Sequence, residues 1–96
     1  GWDDQIPAAK SLIQKSPNMG CLFSPNFSIG IYLYKQMVAH AAMLMEPFTE
    51  YDACGIEYHH RNKIDAPSGT AKALTQTMKT AIPRLQAFEF SSVRCG

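Results

Sequence analysis

The sequence predicts an α+β domain with helices packed on a mixed β-sheet, and three observations carry that prediction. Helical and strand periodicities alternate along the 96 residues, in the order helix, strand, helix, strand, helix, strand, the pattern of a layered architecture. Ser28 and Ser68 stand directly before the two clearest helical runs, where a hydroxyl caps the first free N–H groups. The apolar residues of the longer run are not confined to one stripe, as in a helix covered on more than one side. Two or three strands are few for a free-standing sheet, so an incomplete domain is expected.

Taken in order, Asp3 or Asp4 is placed to cap a first helix reaching about Lys15, with Ile6, Ala9, Leu12 and Ile13 at helical spacing. Pro7 is tolerated in its first turn, where a missing N–H removes only an unpaired donor. "SPNMG" breaks the pattern, and "CLFS", Cys21 to Ser24, is expected as a short buried strand. Ser28 then caps a helix from Ile29 to about Met45, which stops before Pro47. Tyr34, Met37, Val38, Ala41 and Met45 are expected on one face, with Leu33 and Leu44 beside it. "TEYDACGIEYHH" follows as a strand, Cys54, Ile56 and Tyr58 facing one way and Ala53, Gly55, Glu57 and His59 the other. After the loop "RNKIDAP", Ser68 caps a helix from Gly69 to about Thr80, with Ala73, Leu74 and Met78 inward. Pro83 ends that region. In "AFEFSSVRCG", Phe88, Phe90, Ser92 and Arg94 alternate against Glu89, Ser91, Val93 and Cys95, which predicts a last strand.

Composition excludes several classes of function. A net charge of +1 gives no electrostatic case for nucleic acid or an anionic membrane. The apolar stretch around Val38 to Met45 is too short, and too interrupted by His40, to span a bilayer. Cys21, Cys54 and Cys95 are odd in number and widely spaced, which argues against a disulfide framework or a zinc site and for a reducing compartment. The acidic start "GWDDQ" lacks a signal-peptide layout. A cytoplasmic location is the expectation.

The chemistry concentrates in "EYHHRNKIDAPSGTAKAL", Glu57 to Leu74. Strand alternation puts Glu57 and His59 on one face, so the carboxylate can orient the imidazole for proton transfer near neutral pH. The plain alternative is a structural histidine hydrogen-bonded to Glu57. His59-His60 is a poor metal pair, because adjacent strand residues face opposite ways and no ligand spacing of a zinc site is present. Ser68-Gly69-Thr70 opens a helix whose free N–H groups and dipole favour an anion. Gly69 permits close approach, the two hydroxyls add donors, and Lys63 brings a cation, so a carboxylate or phosphate suits the place. An ordinary capped helix accounts for the same residues. No Walker A pattern is present.

"E-Y-H-H-R-N-K-I-D-A-P-S-G-T-A" resembles the E-x-H-H-x-x-K-x-D-A-P-S-G-T-A signature of the dihydrodipicolinate reductases, matching every fixed position. "SPNFSIGI" is similar to the family's P-N-F-S-[IV]-G segment, and "FSSVRCG" to a later strand ending in R-x-G. The resemblance implies an NADPH- or NADH-dependent reductase of the diaminopimelate route to lysine, a cytoplasmic homotetramer that is α/β as a whole enzyme. Residues 1–25 would be the end of its Rossmann domain and the hinge, and residues 26–96 part of the C-terminal catalytic, substrate-binding and oligomerisation domain.

By the same resemblance His59 is the proton donor and Lys63 assists it. His60, Ser68, Gly69 and Thr70 bind the small dicarboxylate substrate. Asn26, Phe27 and Ser28 lie near the hinge and the nicotinamide end of the cofactor. Gly1-Trp2 would follow a nicotinamide loop. The glycine-rich fingerprint that holds a dinucleotide does not occur in the 96 residues, so the cofactor is expected to be bound mainly by an N-terminal domain. Two other readings stay in view: a nicotinamide-dependent reductase of another small dicarboxylate, and a non-enzymatic dimerisation or ligand-binding module.

Overall fold

The computed structural model describes residues 3–24 and 26–96. Its elements are a 3-10 turn, Asp3–Gln5, then α1 (Ile6–Gln14), α2 (Ile29–Met45), β1 (Gly55–His59), α3 (Gly69–Ala81) and β2 (Phe90–Arg94). The architecture is α+β, three helices with a two-stranded sheet.

β1 and β2 pair in parallel, in the register Gly55↔Phe90, Glu57↔Ser92 and His59↔Arg94. Parallel neighbours need a crossover, and α3 supplies it. One face of the sheet carries Glu57 and His59 from β1 beside Phe90, Ser92 and Arg94 from β2. The other carries Ile56, Tyr58, Ser91 and Val93, with Ile56 and Tyr58 well exposed. The strand alternation therefore holds, and the buried face is the one with the carboxylate.

The core lies where α2 crosses α3 and where the chain returns from α3 to β2. Ala42, Met78, Ile82, Leu85 and Phe88 are buried together, with Val38, Met45, Ala53, Ala81 and Phe90 packed against them. α3 turns Ala71, Leu74 and Met78 inward, one residue per turn. Ile82 is fully buried, and its N–H closes the helix on the Met78 carbonyl. Two successive turns, Leu85 N–H to Ile82 and Phe88 N–H to Leu85, then deliver Leu85 and Phe88 into the same core. Arg84 anchors this return by donating to the carbonyls of Tyr51 at 2.9 Å and Phe48 at 3.1 Å. Gly55 is required where β1 meets β2: a Cβ there would sit 2.5 Å from the Phe90 ring, which packs edge-on against Phe88 at 5.6 Å.

Three expectations are corrected. Cys21 to Ser24 form no strand, and Leu22 is 82% exposed; among the described residues the sheet is made by β1 and β2, and neither pairs with this segment. The cap position of α1 falls on Gln5, after the 3-10 turn, and no side chain caps it. The packed line of α2 runs through Ile31, Lys35, Val38, Ala39, Ala42 and Met45, while Tyr34, Met37 and Ala41 are exposed. The small Ala42 lets α3 approach, so the helix is rotated away from its larger side chains. The expectation for Gly1-Trp2 lies outside the described residues.

Candidate functional site

β1 ends at His59, and after the loop from His60 to Pro67 the chain enters α3 at its cap residue, Ser68. Glu57 joins these two points. Its side chain is 8% exposed, so its charge must be met within the protein. The Ser68 N–H donates to Oε1 at 3.0 Å and Oε2 at 3.2 Å. Ser92 Oγ donates to Oε1 at 2.6 Å, and Arg94 Nη2 to the same oxygen at 2.9 Å. His59 Nε2 lies 3.3 Å from Oε2. Burial alone would raise the Glu57 pKa; the hydrogen bonds from Ser68, Ser92 and Arg94 outweigh it and hold the carboxyl well below the usual carboxylate range.

Arg94 is the second hub. Besides Glu57 it reaches back to the loop, its Nη2 donating to the Asp65 carbonyl at 2.6 Å and its Nε to the Lys63 carbonyl at 3.3 Å. Nη1 donates to the Val93 carbonyl at 2.9 Å. The Lys63 ammonium is hydrogen-bonded to Asp65 Oδ1, an exposed carboxylate whose pKa that lysine lowers. The Lys63 N–H donates to the His60 carbonyl at 3.1 Å.

Ser68 caps α3, its Oγ accepting the Ala71 N–H at 3.1 Å. Beyond this cap Gly69 and Thr70 open into a cleft shared with Ser24, Asn26, Ile31, Tyr32, Lys35 and Ala73. Apart from its chain neighbours and its own helix backbone, no atom lies within 4 Å of where a Gly69 Cβ would stand, so that side of the backbone is open to approach. Asn26 is fixed beside it by local bonds. Its Oδ1 accepts the Ser28 N–H at 2.8 Å, and its carbonyl accepts from Ser24 Oγ at 2.7 Å. Ser28 caps α2 through Ile31, and Phe27 is 65% exposed.

The residues singled out in the sequence thus fall into two groups. Asn26, Gly69 and Thr70 line one cleft together. His59, His60 and Lys63 lie at the end of β1 and in the loop after it, linked to the cleft through Glu57 and Ser68. His60 is exposed. Among the described residues no group of three or more His, Cys, Asp or Glu is arranged to hold a metal ion, and no helix is long and apolar enough to cross a membrane.

Two residues escaped the sequence reading. Lys35 places a cation beside Gly69 and Thr70, and its signal was a charge on the line Ile31, Lys35, Val38, Ala42. Arg94 had a signal too: polar Ser92 and Arg94 continue the face that begins with Phe88 and Phe90, as if a buried charge awaited them.

The family model described as "Dihydrodipicolinate reductase, C-terminus" matches residues 30–96, more than half of the chain. The chain belongs to the dihydrodipicolinate reductase family. A 4-hydroxy-tetrahydrodipicolinate reductase from Cutibacterium acnes (strain DSM 16379 / KPA171202) is 41% identical over 88 residues, which are 91% of this chain and 33% of that protein. The chain therefore spans about a third of the length of this curated reductase, and the family match covers every element from α2 onward except the first residue of α2.

Proposed function

We propose that this chain forms the proton-donating, substrate-binding part of an NAD(P)H-dependent reductase that converts 4-hydroxy-tetrahydrodipicolinate to tetrahydrodipicolinate in the diaminopimelate route to lysine. The observation that carries the proposal is the Glu57 carboxylate, which bonds the first N–H of the anion-favouring helix start and faces His59 at the same time. A proton donor and an anion cradle are thereby held in one frame. The membership of the family supports the reaction class.

In this reading His59 delivers a proton to the substrate atom that gathers electron density during reduction. Glu57, 3.3 Å from its Nε2, fixes the orientation of the ring. Lys63 and His60 approach the substrate from the loop, Lys63 exchanging Asp65 for a substrate carboxylate. The N–H groups of Gly69 and Thr70, the Ser68 and Thr70 hydroxyls and the α3 dipole bind a carboxylate, with Lys35 supplying a charge the sequence reading assigned to Lys63 alone. Binding both ends of a small dicarboxylate fixes its ring relative to the acid.

The nicotinamide cofactor, NADPH or NADH, supplies the hydride when bound. The residues present fit only its reacting end: Asn26 lines the cleft and Phe27 exposes an aromatic face beside it, whereas no glycine-rich strand–turn–helix is available for a pyrophosphate. Asn26, Phe27 and Ser28 are accordingly assigned to the hinge and the nicotinamide end. Residues 1–25 are assigned to the end of the nucleotide-binding domain and residues 26–96 to the catalytic domain. The exposed apolar residues of α2 and of the outer sheet face suit burial against other parts of a homotetramer.

The test is made in a complete reductase chain that carries this segment. NAD(P)H oxidation is followed with freshly synthesised substrate in the wild type, His59→Ala and Lys63→Ala. Each variant is expected to lose about 10²- to 10⁴-fold in turnover. Near wild-type rates in both would overturn the assigned roles.

A further inference from the structure

We propose that Arg94, which stands 31 residues beyond Lys63 and outside the signature stretch, is the positioning residue that sets the proton donor and the loop lysine in register with the substrate cradle. The proposal rests on the reading of His59 as proton donor. The Arg94 side chain is 16% exposed, and each of its three nitrogens is used. Nη2 bridges Glu57 Oε1 and the Asp65 carbonyl, Nε holds the Lys63 carbonyl, and Nη1 folds back on Val93. One rigid plane therefore ties β2 to the carboxylate that faces His59 and to the backbone of the loop that carries Lys63. Without it, the bonds that hold the segment from His60 to Pro67 among the described residues are the Lys63-to-His60 turn, the Arg61 N–H to the Gly96 carbonyl, the Lys63–Asp65 pair and the bond from the Gly69 backbone to the Asp65 carboxylate.

A guanidinium suits this task and an ammonium does not. The acceptors are two loop carbonyls and a buried carboxylate oxygen, reached from separate nitrogens of one planar fork. A lysine brings a single nitrogen on a flexible stem, which satisfies the charge of Glu57 and leaves the loop carbonyls unheld. The charge is kept and the geometry is lost, so Arg94→Lys separates positioning from charge.

The experiment uses the complete reductase in four forms: wild type, Arg94→Lys, His59→Gln and the double variant, with kcat, KM and Tm measured for each. Arg94→Lys is expected to lower kcat by about 10- to 100-fold, the scale of a displacement of roughly 1 Å at the reacting groups, with Tm nearly unchanged. In the His59→Gln background the same change is expected to cost under about 3-fold in kcat, since residues acting as a unit are non-additive. A wild-type kcat in Arg94→Lys overturns the proposal. An impaired His59→Gln in which Arg94→Lys costs the same factor as in the wild type also overturns it, and leaves the proton-donor reading intact. A wild-type kcat in His59→Gln overturns that reading and the proposal with it. Loss of the folded state in both Arg94→Lys and a second variant, Arg94→Gln, assigns the residue to the stability of the sheet and rejects a positioning role.

Discussion

Replacing Glu57 with glutamine changes one oxygen to an amide and removes one charge, and the structure dictates where both are felt. The carboxylate accepts from the Ser68 N–H, Ser92 Oγ and Arg94 Nη2 and faces His59 Nε2, so both oxygens meet donors. Either orientation of the glutamine puts its NH₂ against one of these donors. Arg94, 16% exposed, loses its only carboxylate partner among the described residues. Removing one member of a buried charged pair costs about 3–5 kcal/mol, a large share of the roughly 5–15 kcal/mol that holds a typical domain together.

Urea unfolding followed by far-UV circular dichroism measures that loss in the complete reductase chain. The pH dependence gives an independent check with a fixed sign. The Glu57 pKa is depressed in the folded state, so its contribution is fully present above the ordinary glutamate value of about 4.3 and is lost as pH falls through the folded value. The gap between wild type and Glu57→Gln is therefore constant near neutrality and shrinks only below about pH 4.3. A gap under about 1 kcal/mol at neutral pH, or one that narrows well above that point, would refute the reasoning.

Gly55→Ala drives a methyl to within 2.5 Å of the Phe90 ring, which cannot retreat without losing its edge-on contact with Phe88. Thermal unfolding should show a loss of about 1–3 kcal/mol, and a neutral outcome would place Phe90 elsewhere. Lys35→Ala, at the cleft with Gly69 and Thr70, should raise KM for the dicarboxylate about tenfold with little change in kcat, as for uniform binding; an unchanged KM would remove Lys35 from the substrate site.

The elements most legible in the sequence were those closed by local chemistry. Ser28 and Ser68 cap α2 and α3 as their positions required. Pro47 and Pro83 follow the ends of those helices within two residues. The two-residue period of β1 correctly put Glu57 with His59. The misreadings occurred where a partner decides. An apolar "CLFS" has strand composition, but a strand exists only where a neighbour pairs with it, and neither β1 nor β2 does so here. The face of α2 was misjudged because large apolar side chains suggest burial, whereas close helix packing selected the small Ala42 and left Tyr34 and Met37 outside.

The sequence by itself determined the βαβ order, the caps, and the grouping of a histidine, a lysine and a helix start within one short stretch, because periodicity, capping and turn chemistry act over a few residues. It could not show that Glu57 is shared between His59 and Ser68, that Arg94 arrives from 37 residues away to neutralise it, or that Lys35 stands beside Gly69. Those relations depend on the parallel register of β1 and β2 and on the crossing of α2 over α3. A buried charge finds its partner through the fold, and only the tertiary structure decides which distant side chain that is.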